Sequence, residues 1–118
     1  MSSSRHQQSD LPLFVHWLEF VKWLFARTER FPRRVRWSVS SRIESLALDV
    51  LDWIVVARYS RNKAPVLRRI NLAIERLRIL LRLCNEQGFL ASSAYEYAAR
   101  SLVEAGRMVG GWKKAMER

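Results

Sequence analysis

The residues best suited to chemistry in this chain are arginines. In "FPRRVRW", residues 31–37, Arg33, Arg34 and Arg36 follow Pro32. Proline suits the first turn of a helix, because its φ is already set and its missing N–H has no partner there anyway. A helix N-terminus carries partial positive charge and favours Asp or Glu, so three arginines there oppose the helix. Arg68 and Arg69 repeat the pattern just after Pro65. The chemistry that suits them is phosphate binding, since the planar guanidinium donates paired hydrogen bonds to phosphate or carboxylate. Arg58, Arg61, Lys63, Arg107, Lys113 and Lys114 extend the predicted binding surface for nucleic acid or an acidic protein. Part of this has a plainer cause, because Arg58, Arg107, Lys113 and Lys114 fall near expected helix C-termini, where cations are favoured.

Other chemistry finds no constellation. His6 and His16 stand apart, and no Cys/His spacing suits zinc. The only paired glycines, Gly110-Gly111, follow a helical pattern rather than opening one. Glu75, Glu86, Glu96 and Glu104 lack the Glu-x-x-His element of carboxylate metal bundles and read as partners for arginines at helical spacing. The expectation is a non-enzyme without metal or cofactor. Cys84 is the sole cysteine, so no intrachain disulfide forms; it falls on an apolar stripe and reads as a small buried hydrophobe.

The elements that must position these residues are helical. The chain has 118 residues, enough for one domain, with few Gly and Pro and a net charge of +10. Such charge attracts polyanions: nucleic acid, an anionic membrane, or an acidic protein. "LPLFVHWLEFVKWLF" is interrupted by His16, Glu19 and Lys22, and "LALDVLDWIVVA" carries Asp49 and Asp52, so neither reads as a leader or a membrane span. A cytoplasmic protein without a membrane partner is expected.

Apolar residues recur every 3.6 positions in four segments. The first helix is expected from Leu13 to Arg30, capped by Ser9 or Asp10, with Phe14, Trp17, Leu18, Val21, Leu24 and Phe25 inward. The second runs from Pro32 to Tyr59 and the third from Pro65 to Gln87, where Gly88 stops it. The fourth starts at Ser92 as N-cap and ends near Val109, weakened by Gly110-Gly111; Gly106 within it reads as a close-packing position. Short links predict an all-α, antiparallel up-down-up-down four-helix bundle over residues 11–112, with a disordered start at 1–10 and a basic tail at 113–118.

A second apolar stripe lies off the expected core. Leu72, Ile79 and Leu83 on the third helix, Trp37, Leu48, Leu51 and Val55 on the second, and Phe20 and Trp23 on the first compose it. Scattered surface apolar residues are ordinary, but a stripe on three helices predicts a homo-oligomer interface. Trp23, Trp37 or Tyr59, if exposed, could stack on bases instead. No helix-turn-helix or ribonucleoprotein signature appears, so binding dominated by the phosphate backbone is expected.

"FPRRVRW", "RIESLALDVLDWIVVARY", "LRILLRLCNEQGFLASSAYEYAARSLVEAGRMVGGWKK" together resemble the accessory variability determinant (Avd) family of diversity-generating retroelements. The Gly-Arg-Met-x-Gly-Gly-Trp ending is the most distinctive piece. The Phe-Pro-Arg turn is shared with four-helix proteins encoded in intervening sequences of ribosomal RNA genes. The resemblance implies a basic four-helix protein assembled as a homopentamer. It implies binding to the retroelement reverse transcriptase and to RNA, with cDNA as a further partner, in support of mutagenic reverse transcription. The alternatives are a structural or nucleic-acid-binding bundle of the intervening-sequence type, or a helical adaptor for an acidic protein.

Overall fold

The computed structural model describes residues 11–116. Helix α1 spans Pro12–Thr28. A 3-10 turn (Arg33–Val35) and a π-helical segment (Arg36–Ser40) lead into α2 (Ser41–Tyr59). Helices α3 (Ala64–Glu86) and α4 (Ser92–Met116) complete the chain. Among the described residues there is no strand.

The local reasons for these boundaries are visible. Leu11 is extended, and its carbonyl accepts the first helical bond, from Val15 at 3.1 Å. The caps expected at Ser9 or Asp10 lie outside the described residues. Pro32 is also extended, with ψ 142°, so it precedes the helical run instead of opening it; Arg33 is its first residue. At the start of α4 the Ala91 carbonyl accepts from Tyr95 N–H at 2.9 Å, so Ala91 takes the cap place expected of Ser92. The Ser92 hydroxyl instead accepts from Asn85 Nδ2 at 3.3 Å. Helix α4 does not end at Val109. It continues through Gly110 and Gly111 to Met116, held by Met108, Trp112 and Met116, which pack on the core.

Each helix touches the next, and α4 closes the ring against α1. The contacts of α1 with α2 and with α4 run in opposite senses. Trp17 and Thr28 of α1 reach Ala47 and Glu44 of α2. His16 and Trp23 of α1 meet Ser101 and Tyr97 of α4. The result is an all-α four-helix bundle. Its fully buried centre includes Trp17, Phe20, Leu24, Ile43, Ile54, Leu67, Leu77, Leu81 and Leu102. Each such side chain contributes roughly 1.5–3 kcal/mol relative to exposure. Trp17 also donates its Nε1–H to the Ala47 carbonyl at 2.9 Å, which satisfies the one polar atom it buries.

Several expected placements change. Phe20 is buried and Trp23 half-buried, in a ladder of rings in which Phe20 lies between Trp17 and Trp23 and α4 covers Trp23 with Tyr97: Trp17–Phe20 at 5.0 Å, Phe20–Trp23 at 5.8 Å, Trp23–Tyr97 at 4.6 Å. Phe25, expected inside, is exposed, while Phe14 and Leu18 are half-buried. Gly106 does not mark a close approach: a Cβ there would meet nothing within 4 Å. It faces an open hollow shared with Asn71, Glu75 and Arg78 of α3. Cys84 is buried, as expected.

Candidate functional site

The α1–α2 junction carries the first basic group. Arg33 and Arg36 are exposed and make no side-chain hydrogen bond, ion pair or ring contact among the described residues. Arg34 is exposed too, but its guanidinium lies over the Phe89 ring at 5.3 Å, which ties the junction to the α3–α4 turn. Trp37 is 86% exposed on the π-helical segment. Such segments are rare and recur at functional sites.

Trp37 borders two hollows. One is lined by Glu29, Phe31, Arg36, Ser40 and Glu44, with Trp37 at its edge. Glu44 Oε2 accepts the Thr28 hydroxyl at 2.5 Å. Ser40 is 6% exposed, and its hydroxyl is the one buried side-chain polar atom without a partner among the described residues. The other hollow joins Trp37 to Ser38, Arg42, Ser45, Asp49 and Arg76. The spacing of apolar residues could not have singled out Ser40, Arg42 or Glu44, because the hollows form only where α3 and the end of α1 come beside α2. The one local signal was a serine run, Ser38-x-Ser40-Ser41, beside Trp37.

The opposite end carries the second basic group, and much of it is used internally. Lys63 Nζ donates to the carbonyls of Ala57 at 2.7 Å, Ser60 at 2.8 Å and Arg58 at 3.2 Å, and sits 5.8 Å from the Trp112 ring. It therefore closes the C-terminus of α2, where carbonyls lack helical partners. Arg69 lies 4.9 Å over Trp53, and Arg58 5.9 Å over Tyr59. Arg107 pairs with Glu104, and that hydrogen bond holds the Glu104 carboxyl below the usual carboxylate range. Arg61, Arg68, Lys113 and Lys114 are exposed and unpartnered among the described residues.

Of the predicted interface residues, Trp37, Leu48, Val55, Leu72, Ile79 and Leu83 are exposed, whereas Leu51 is half-buried against the core. Five of these six lie on the neighbouring helices α2 and α3, and Trp37 lies on the π-helical segment leading into α2. No helix among the described residues is long and apolar enough to cross a membrane.

A family model described as bAvd-like matches residues 15–116. No curated protein and no solved structure matches.

Proposed function

The chain belongs to the bAvd-like family, and from that premise we propose that it serves a diversity-generating retroelement by binding the reverse transcriptase and its template RNA or cDNA through basic surfaces. The family is one of accessory, non-catalytic proteins, and the fold is the basic four-helix bundle that such a role uses. The observation that carries the reading is charge left unused. Arg33 and Arg36 at one end, and Arg61 and Arg68 at the other, are exposed and without partners among the described residues, three of them near helix starts where they oppose the dipole. A phosphate backbone or an acidic polymerase surface supplies the missing counter-charge.

In this reading the exposed apolar residues of α2 and α3 join copies of the chain into a pentamer. Leu72→Glu with Ile79→Glu then shifts the mass in light scattering to monomer with helicity intact. The functional test is co-purification with the reverse transcriptase of a diversity-generating retroelement, together with RNA binding across a salt series. Arg33→Gln/Arg36→Gln and Arg61→Gln/Arg68→Gln should each weaken capture of the polymerase or of RNA. Unchanged capture of both by all four substitutions together would overturn the reading.

A further inference from the structure

We propose that the hollow beside Trp37 holds one unstacked guanine base of a single strand, with the adjoining phosphate on Arg42 and Arg76. This inference rests on the nucleic-acid reading above and adds a base preference to it.

The site is built, not merely charged. Nine residues from the end of α1, the junction and the start of α2 enclose the hollow, among them the buried Ser40 and Phe31 and the half-buried Glu44, whose carboxylate is fixed there by the Thr28 hydroxyl. Trp37 stands 86% exposed on a helical run, so its ring is presented without the entropy of a loose loop. Stacking of a base on such a ring tolerates any base, so discrimination must come from the base edge.

The edge chemistry selects a donor-rich base. Glu44 gives Oε2 to Thr28 and keeps Oε1 without a partner among the described residues. Glu29, exposed in the same hollow, has none either. Ionised carboxylates only accept hydrogen bonds. Guanine offers two adjacent donors, N1–H and the N2 amino group, and the hollow offers two unfilled acceptors for them, Oε1 of Glu44 and the carboxylate of Glu29. Adenine and cytosine set a single amino donor beside an acceptor, and uracil sets one N–H between two acceptors. Arg36, in the same hollow, is placed to donate to the O6 and N7 acceptors that guanine also carries. The second hollow fits the phosphate: Arg42 and Arg76 are exposed and unpartnered among the described residues, with the Ser38 and Ser45 hydroxyls beside them and Asp49 the single acid. A cationic peptide fits less well, because Arg36, Arg42 and Arg76 line the hollows that Trp37 borders and repel it.

The test compares a fluorescently labelled oligouridine with the same strand carrying one central guanosine, by anisotropy, alongside the oligomer mass. The wild-type chain should bind the guanosine strand about tenfold more tightly. Trp37→Ala should abolish that ratio, Trp37→Phe should restore part of it, and Glu44→Gln should narrow it, with helicity and oligomer mass unchanged. Equal binding of both strands by the wild type overturns the base pocket and leaves general nucleic-acid binding intact. Binding of neither strand at low salt removes both. If Trp37→Ala lowers the oligomer mass and leaves the ratio unchanged, Trp37 belongs to a seam between copies and the base pocket is refuted.

Discussion

Two chain reversals sit side by side at one end of the bundle, joined by the Phe31–Phe89 ring contact at 6.0 Å and by Arg34 over Phe89. They are built on opposite terms. In the α3–α4 turn nearly every group has a partner. Gly88 takes a φ of 81°, Phe89 and Leu90 N–H both donate to the Cys84 carbonyl at 2.8 and 3.3 Å, and Asn85 Nδ2 donates to the Leu90 carbonyl at 3.0 Å. The α1–α2 junction instead leaves a buried hydroxyl unsatisfied, a large ring in water, and arginines at the start of a helical run. A junction needed only to reverse the chain could have been made like its neighbour. The exposed ring and the unpaired arginines lie on the surface, where the proposed partner would meet them, and departures of this kind are expected at functional sites.

The contrast yields graded expectations: changes in the satisfied turn should destabilise, and changes in the unsatisfied junction should not. The largest effect concerns Cys84, whose thiol burial pushes up to about 11 from an ordinary value of about 9. A pKa raised in the folded state means stability that is intact below the unfolded value and lost as pH rises through the folded one. Between pH 9 and 11 the wild-type chain should lose up to roughly 2 kcal/mol more than Cys84→Ala, read by urea unfolding at each pH. Parallel pH profiles for the two proteins would show that the thiol is accessible after all.

Gly88→Val comes next. A β-branched residue at that positive φ should cost roughly 1–2 kcal/mol, read as a lower denaturation midpoint. An unchanged midpoint would mean that the turn has relaxed and is not the rigid partner described.

On the other side, Ser40→Ala removes a buried hydroxyl with no partner and should raise stability by about 1 kcal/mol. A loss of that size would mean that the hydroxyl is bonded in the free protein, and the contrast would fail at its centre.

The smallest expected change is for Arg33→Gln, a gain of a few tenths to about 1 kcal/mol as an unfavourable dipole interaction goes. The salt slope of RNA binding should fall by about 0.7 for each phosphate that the variant no longer neutralises. Arg34→Gln should gain less, because its packing on Phe89 is itself worth roughly 0.5–1 kcal/mol. A larger gain from Arg34 than from Arg33 would show that the ring packing contributes nothing.

Much of the molecule was legible in the order of residues alone. Four apolar periodicities, the Phe31-Pro32 break, the polar link before Pro65 and Gly88 after α3 set the helical runs to within a few residues everywhere but at the end of α4, because these signals act within one or two turns of chain. The buried Cys84 and the exposed Leu72 and Ile79 followed from position on the helical wheel. The family was legible in the same way, in the Phe-Pro-Arg turn and the Gly-Gly-Trp ending.

What the sequence could not settle was which neighbour covers each face. Phe20 and Trp23 looked like surface residues, yet Phe20 is buried between the rings of Trp17 and Trp23, and Tyr97 of α4 packs on Trp23. Lys63 looked like a free cation until the end of α2 turned its carbonyls toward it. Gly106 suggested contact, yet it opens onto a hollow. Gly110 and Gly111 looked like an ending, yet Trp112 and Met116 hold the helix to the core beyond them. The candidate site is of the same kind, since Ser40, Glu44, Arg42 and Arg76 share no periodic signal and meet only around Trp37. Periodicity records which side of a helix avoids water. Which donor meets which acceptor, and which hydroxyl is left without either, depends on groups brought together across the bundle, and only their packing decides it.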